Sequence, residues 1–364
     1  MDTRDSPEQA ELRRGARRLA AELGPATVAE LDDEARALRL AGAVRDAGWL
    51  ELRDADGSSG GPLASGVDTT ILADGLAGAV ADVAFAGPTL AADLARRAGA
   101  ARDDRAGVAY GPDLLGVAVV EETVTTERFE VVDLPVDGSA QAFVLVRKDD
   151  GYRLAAVAVD DPEPGGRRAT DLTRTTGSVR PGAAVVEIPE QRGLTEDDLT
   201  AWAALGLALT SADLVGVMRG VLDLSVAYAT DRKQYGVPVG SFQAVQHLLA
   251  EARCLLEGSI SATLYAGWAV DELAPDEARA AGRVAKAYGA RAARTVCETA
   301  VQVHGGIGNT WECMVHVFLR RALLSTEWFG DDGAQLERLA RERLGVPMLG
   351  VPMLGVPGVT DGLP

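Results

Sequence analysis

The chain has 364 residues, of which 47% are hydrophobic and 25% charged. That is the composition of a soluble globular protein with two or three domains, or one composite one. Its net charge of −18 argues against nucleic acid or an anionic membrane as a partner. Any anionic ligand must be held by local Arg and Lys or by helix N-termini, because the overall field repels it.

The first hundred residues read as helical. Ser6-Pro7-Glu8-Gln9 places a cap, a first-turn proline and acidic or amide groups ahead of AELRRGARRLAAEL. A second helix is expected over 27–47, a flexible loop at GSSGGP (57–62), and two further helices near 68–80 and 88–98. From about Arg105 the pattern changes to β-rich pieces (GVAVVEETVT, RFEVVDLPV, QAFVLVRK, YRLAAVAVD, AAVVEIP) separated by Asp, Gly and Pro. After RGLTEDDLT long Ala/Leu/Val-rich helices are expected near 197–230, 241–271 and 276–304, with shorter ones near 310–325 and 333–343. The tail LGVPMLGVPMLGVPG repeats a proline-bearing pentapeptide, which cannot be helical. The fold class is therefore α+β multidomain. It comprises an N-terminal helical domain (1–104), a small antiparallel β domain (105–190), a C-terminal up-down four-helix bundle (191–345) and an irregular tail (346–364).

Cys254, Cys297 and Cys313 form no CxxC and no metal-spaced cluster, so they read as buried thiols of a reducing compartment. The polar N-terminus has no apolar signal core, and no run of about 18 apolar residues is seen. A cytoplasmic protein is the expectation. No metal-ligand spacing and no Ser/His/Asp nucleophile set is visible. His247 and His316 read as packing or surface residues, whereas His304, ahead of three glycines, could reach a ligand.

Two stretches carry candidate chemistry. In DRKQYGVPVGSFQAVQH (231–247) Arg232 ends a helix, YGVPVG forces a turn, and Ser241 is placed to cap a new helix that opens Phe242-Gln243. A cation, a tight turn and a helix N-terminus together suit a pyrophosphate. In VQVHGGIGNTWE (301–312) Gln302 lies in a last helical turn, Gly305, Gly306 and Gly308 allow close backbone approach, and Thr310 would cap the next helix. Either stretch alone is equally a helix–turn–helix break.

Together and in this order, DRKQYGVPVGSFQAVQHLLAEARCLLE and AVQVHGGIGNTWECMVHVFLRRA resemble the two C-terminal signature regions of the acyl-CoA dehydrogenase family. The resemblance is strong from about Trp202 to Ala322 and rests on architecture alone before that. It implies the acyl-CoA dehydrogenase fold, FAD as cofactor, an acyl-CoA substrate desaturated at Cα–Cβ, and electron-transfer flavoprotein as acceptor. It also implies an FAD extended across a subunit interface. Arg232, Gln234, Tyr235, Phe242, Gln243, Gln302, Gly305 and Gly306 match the set that holds the ADP end.

Other family features are missing. The flavin-facing E-P-x-A-G-S-D strand motif is absent from PDLLGVAVVEETVT (112–125), and no tryptophan lies between Trp49 and Trp202. The β domain looks shortened. The family places its catalytic glutamate at one of two positions, which fall here at Phe329, ahead of Gly330, and at Gly206, about seven helical turns before Arg232. Neither is a carboxylate. Glu327 is a weak candidate for a relocated base, with Asp331 and Asp332 nearby.

A subunit of a heteromeric acyl-CoA dehydrogenase, resembling the base-lacking subunit of actinobacterial α2β2 enzymes, explains both what is kept and what is lost. A related chain would supply the flavin-facing β domain and the glutamate, and the acyl group could be a steroid side chain or another branched chain. The alternatives are a complete homo-oligomeric enzyme with a relocated base, and a structural relative without FAD.

Overall fold

The computed structural model describes residues 4–345 except 122, 136–140 and 164–169. The proline-repeat tail lies outside the described residues. Helix α1 (Pro7–Leu23) opens on the expected capping box: Ser6 Oγ accepts the Gln9 N–H, and the Gln9 side chain accepts the Ser6 N–H. The single helix expected over 27–47 divides. A 3-10 turn (Val28–Asp32) stops at Asp33, whose carboxylate then caps α2 (Glu34–Asp46) through the Arg36 N–H. Helices α3 (Gly66–Ala77) and α4 (Ala86–Ala98) complete the N-terminal group.

Eight strands form one sheet: β1 (Ala106–Tyr110), β2 (Val119–Val120), β3 (Phe129–Val132), β4 (Gln141–Lys148), β5 (Gly151–Ala158), β6 (Asp160–Glu163), β7 (Thr176–Val179) and β8 (Val186–Glu187). Their order is β6-β7-β3-β1-β4-β5-β8, with β2 also on β4. The sheet is mixed, not purely antiparallel as expected, because β1 and β2 both run parallel to β4. The alternation in the sequence specified strands and faces but not strand direction, which the crossover between β2 and β4 decides.

The C-terminal part begins at α5 (Glu196–Asp231), started by a second capping box at Thr195. A small hairpin, β9 (Lys233–Gln234) and β10 (Val237–Pro238), leads to α6 (Gln243–Glu272); α7 (Pro275–His304), α8 (Val315–Glu327) and α9 (Asp332–Leu344) follow. Arg279 near the start of α7 donates to Thr200 near the start of α5 at 3.2 Å. At the far ends the Tyr228 and His304 rings stack at 4.3 Å. Helices α5 and α7 therefore run side by side in one direction, and α6 returns between them. This brings the end of α5, the start of α6 and the end of α7 to one end of the bundle.

By length and composition α5 could cross a membrane, but 94% of its apolar window is buried inside the protein, as in a core helix. The thiols differ from expectation in one case. Cys297 is buried and Cys313 half-buried, but Cys254 is exposed, because it faces outward on α6.

Candidate functional site

The matched residues gather at the end of the bundle just described. Arg232 is the residue that stops α5; its N–H still bonds the Tyr228 carbonyl at 2.8 Å. Its guanidinium is exposed. The hairpin turns on Tyr235 and Gly236, both at positive φ (52° and 82°), the backbone of a primed two-residue turn. Tyr235 is 94% exposed and meets Phe242 edge to face at 6.4 Å. Phe242, Gln243, Gln234 and Gln302 are exposed as well. Helix α6 starts at Gln243 with no side-chain cap, so its N-terminal dipole faces this end uncompensated. Ser241 is not the cap expected. It belongs to a 3-10 turn and its hydroxyl donates back to Pro238 O at 2.6 Å.

The glycine run is a 3-10 helix (Gly305–Asn309) and not an open loop. Helix α8 begins only at Val315, so Thr310 ends this turn and does not cap the next helix. The three glycines have different reasons to be glycine. Gly305 (φ 64°, ψ −144°) has a backbone that L side chains rarely adopt. At Gly308 a Cβ would sit 3.1 Å from Val301 O. Gly306 has neither constraint: its φ is ordinary and no atom lies within 4 Å of an added Cβ. Among the described residues nothing requires glycine there.

His304 does not face this surface. It is buried, its Nδ1 lies 2.8 Å from Ala300 O, and burial pushes its pKa down. His316 is also buried, packed edge to face on Trp311 at 5.0 Å, and His247 is exposed.

The two positions that match the family's catalytic base, far apart in sequence, touch in space. A Cβ built on Gly206 would lie 2.0 Å from the Phe329 ring. Phe329 is buried and left-handed (φ 67°), and its N–H donates to Leu114 O at 2.9 Å from the segment after β1. Tyr110, Trp202 and Trp328 surround it, with ring centroids 5.4–6.1 Å away. The meeting point is thus an aromatic plug with no carboxylate. Glu327 is exposed. Asp331 caps α9 through the Ala334 N–H at 2.7 Å, and Asp332 pairs with Arg291 at 3.1 Å. All three carboxylates therefore have surface or capping roles.

One turn and two turns beyond Gly206 on the same stripe of α5 come Thr210 and Asp213, and here lies a network that sequence reasoning missed. Buried Asp213 accepts from Arg321 at 2.7 Å, pairs with Arg174 at 2.8 Å and accepts the Ser325 hydroxyl at 2.6 Å. Burial would raise its pKa, but the two guanidiniums outweigh burial and hold it well below the usual carboxylate range. Arg174 also reaches Asp171, and Arg321 reaches Ala81 O and Thr173. Fully buried Lys286 donates to the Ser325 and Trp328 carbonyls, which end α8. Burial pushes its pKa down to about 7. Asp213 inside the apolar run LTSADLVGV was the available signal.

On the other side of Phe329 a cavity of about 420 Å³ opens between the Gly111–Val119 segment and α5. Leu115, Val117, Trp202 and Leu207 give it apolar walls, and Arg279, Arg283 and Arg338 lie along its α7–α9 side. Two of its carboxylates already have partners: Glu196 accepts from the Tyr152 hydroxyl at 2.7 Å, and Asp113 from the Leu115 N–H at 3.1 Å.

Residues 205–344 match the family model described as the acyl-CoA dehydrogenase C-terminal domain. The Mycobacterium tuberculosis acyl-CoA dehydrogenase FadE34 is 39% identical over 135 residues, which is 37% of this chain and 19% of FadE34. The Mycolicibacterium smegmatis acyl-CoA dehydrogenase IpdE2 is 36% identical over 141 residues, 37% of this chain and 41% of IpdE2. The match therefore spans less than half the length of either relative. Among solved structures, a chain of the ChsE4-ChsE5 complex from Mycobacterium tuberculosis superposes with a TM-score of 0.75 at 22% identity, covering 96% of this chain and 100% of that one. A chain of the Tcur3481-Tcur3483 steroid ACAD gives 0.72 at 21%, covering 92% and 96%. These likenesses extend the fold over nearly the whole chain, including the segments that carry no motif. Residues 205–344 are thus similar to the acyl-CoA dehydrogenase C-terminal domain, and the chain as a whole shares the fold of these solved structures.

Proposed function

We propose that the chain is a subunit of a heteromeric FAD-dependent acyl-CoA dehydrogenase that contributes the ADP-holding half of an FAD site and no catalytic base. The observation that carries this reading is the contact of Phe329 with Gly206. A base must reach the substrate's α-proton within hydrogen-bond distance, and both positions from which it would do so are occupied by a ring packed on a glycine.

The ADP end is a different case, and its donor set fits a dianionic pyrophosphate. Arg232 offers an exposed guanidinium, the start of α6 offers a helix N-terminus, and Gly305 and Gly306 leave the backbone uncovered. Gln302, Gln243, Gln234, Tyr235 and Phe242 add exposed amides and rings beside them. These groups lie on an outer surface of the chain, so a ligand held there needs a second subunit to cover it. In such an assembly FAD supplies the hydride acceptor for α,β-desaturation of an acyl-CoA thioester. This chain's share is to bind and orient the ADP end, while the aromatic plug keeps water and substrate from its own Gly206. The partner is a related subunit with a flavin-facing β domain and a glutamate base. The steroid ACAD among the structural neighbours supports a steroid side-chain or other branched acyl-CoA as substrate. Electron-transfer flavoprotein is the acceptor such an enzyme uses.

The test is to purify the chain alone and with its partner subunit. The chain alone should be colourless and inactive, and the complex yellow and active. In the complex, Arg232→Ala with Gln302→Ala should lower FAD occupancy without dissociating the subunits. Full flavin and activity in the chain alone would establish a homo-oligomer with a relocated base. Unchanged occupancy in the double variant would show a relative that takes no part in FAD binding.

A further inference from the structure

A second polar cavity, of about 400 Å³, lies among α1, α3, α5 and α6. It is independent of the FAD reading. Four arginines line it (Arg13, Arg17, Arg219 and Arg253) against three carboxylates (Asp5, Asp74 and Glu257). In a chain of net charge −18, a cavity with an excess of cations is a local reversal of sign.

Buried Asp74 is its centre. It accepts from Arg13 at 3.0 Å and from two nitrogens of Arg219, both at 3.2 Å. Arg13 spends its remaining nitrogens on Asp5, at 2.8 and 3.0 Å. Arg253 pairs with Glu257 on its own helix. Arg17 is left over. Its nearest carboxylate oxygen is again on Asp74, at 3.7 Å, beyond hydrogen-bond distance. Burial and the neighbouring Arg219 and Arg13 lower its pKa more than Asp74 and Asp223 raise it. Three guanidiniums thus approach Asp74, Arg13 with Asp5 as a second partner, while Arg17 makes no hydrogen bond to it. On the α6 wall the Thr263 side chain is 5% exposed, and its Oγ1 has no hydrogen-bond partner among the described residues. Buried hydroxyls are ordinarily paired. A half-exposed guanidinium with no carboxylate at hydrogen-bond distance and an unpaired buried hydroxyl line one cavity, a setting that suits an oxygen-rich anion. Ile71, Val215 and Ile260 form the apolar remainder of the wall.

We propose that this cavity is a binding site for a small phosphate-type oxyanion, free or as a monoester. Arg17 supplies its charge-assisted bonds and Thr263 donates its hydroxyl. Bound there, the anion ties α1 to α6, beside the Asp74–Arg219 bonds that already join α3 to α5.

Titration calorimetry of the chain, or of its complex with the partner, with inorganic phosphate and with phenyl phosphate at constant ionic strength tests this. One site per chain is expected. At a tenfold excess over Kd, binding should raise Tm by about 2 °C. Arg17→Met and Thr263→Val should each weaken binding about tenfold or more while leaving Tm without ligand nearly unchanged. Preference for phenyl phosphate would assign a monoester and equal affinity a free phosphate; either supports the site. No saturable binding, or binding equally strong in both variants, would overturn it.

Discussion

The two ends of the sequence stretch from Gly206 to Arg232, which lie on one helix, are built on opposite principles. Around Gly206 every surface is filled: a ring against the glycine, further rings around it, and buried ion pairs beyond. Around Arg232 charges, amides and glycines are exposed with little to hold. A filled region is explained by its own neighbours. An unfilled one made of groups that bind anions is where the proposed FAD contact rests. The same comparison separates stability from function, because damage to the first region should unfold the protein and damage to the second should leave it folded and empty.

The largest effect is expected at the buried network. Asp213→Ala removes the carboxylate paired with buried Arg321 and one of those around Arg174, and should cost about 3–5 kcal/mol in urea unfolding. Next comes Gly206→Ala, whose added methyl collides with Phe329 and should cost about 1–3 kcal/mol. That cost should shrink when Phe329 is replaced by leucine, and a double-mutant cycle measures the coupling. A third test uses pH. The folded-state pKa of Lys286 is lowered to about 7 by burial, below an unfolded value near 10.4. The unfolded chain therefore binds more protons between these values, and stability from this group should rise as pH goes from about 7 toward 10. Lys286→Met should flatten that rise, as read from Tm against pH. The smallest effect on stability, within about 0.5 kcal/mol, is expected for Gly306→Leu, which enters open space. In the assembled complex the same substitution should lower FAD content; unchanged content would mean that no cofactor approaches the backbone at that position.

Much of the exposed region was legible in the sequence because its signals are local. A helix stop, a primed turn and a glycine run each occupy a few consecutive residues, and the bundle's parallel α5 and α7 bring them together. Local signals still misplaced two caps: Ser241 bonds back to Pro238, and Thr310 ends a 3-10 turn well before α8 starts. The filled region was legible only in part. The family resemblance pointed to Gly206 and Phe329 separately, but their contact depends on packing between α5 and the turn before α9. The Asp213 network joins residues more than one hundred positions apart, and no spacing rule connects them. The same holds for strand direction in the sheet, where two parallel pairs replaced an expected antiparallel pattern.

The continuity of α5 has an evolutionary consequence. Gly206 and Arg232 are roughly 39 Å apart along a 1.5 Å rise per residue, with a rigid, buried rod between them. At such a separation substitutions act additively, so each locus can drift without disturbing the other. A lineage could lose a reactive group at one station of the rod and refill the space with a ring, while selection still held the other station unchanged. The helix keeps the two inheritances apart.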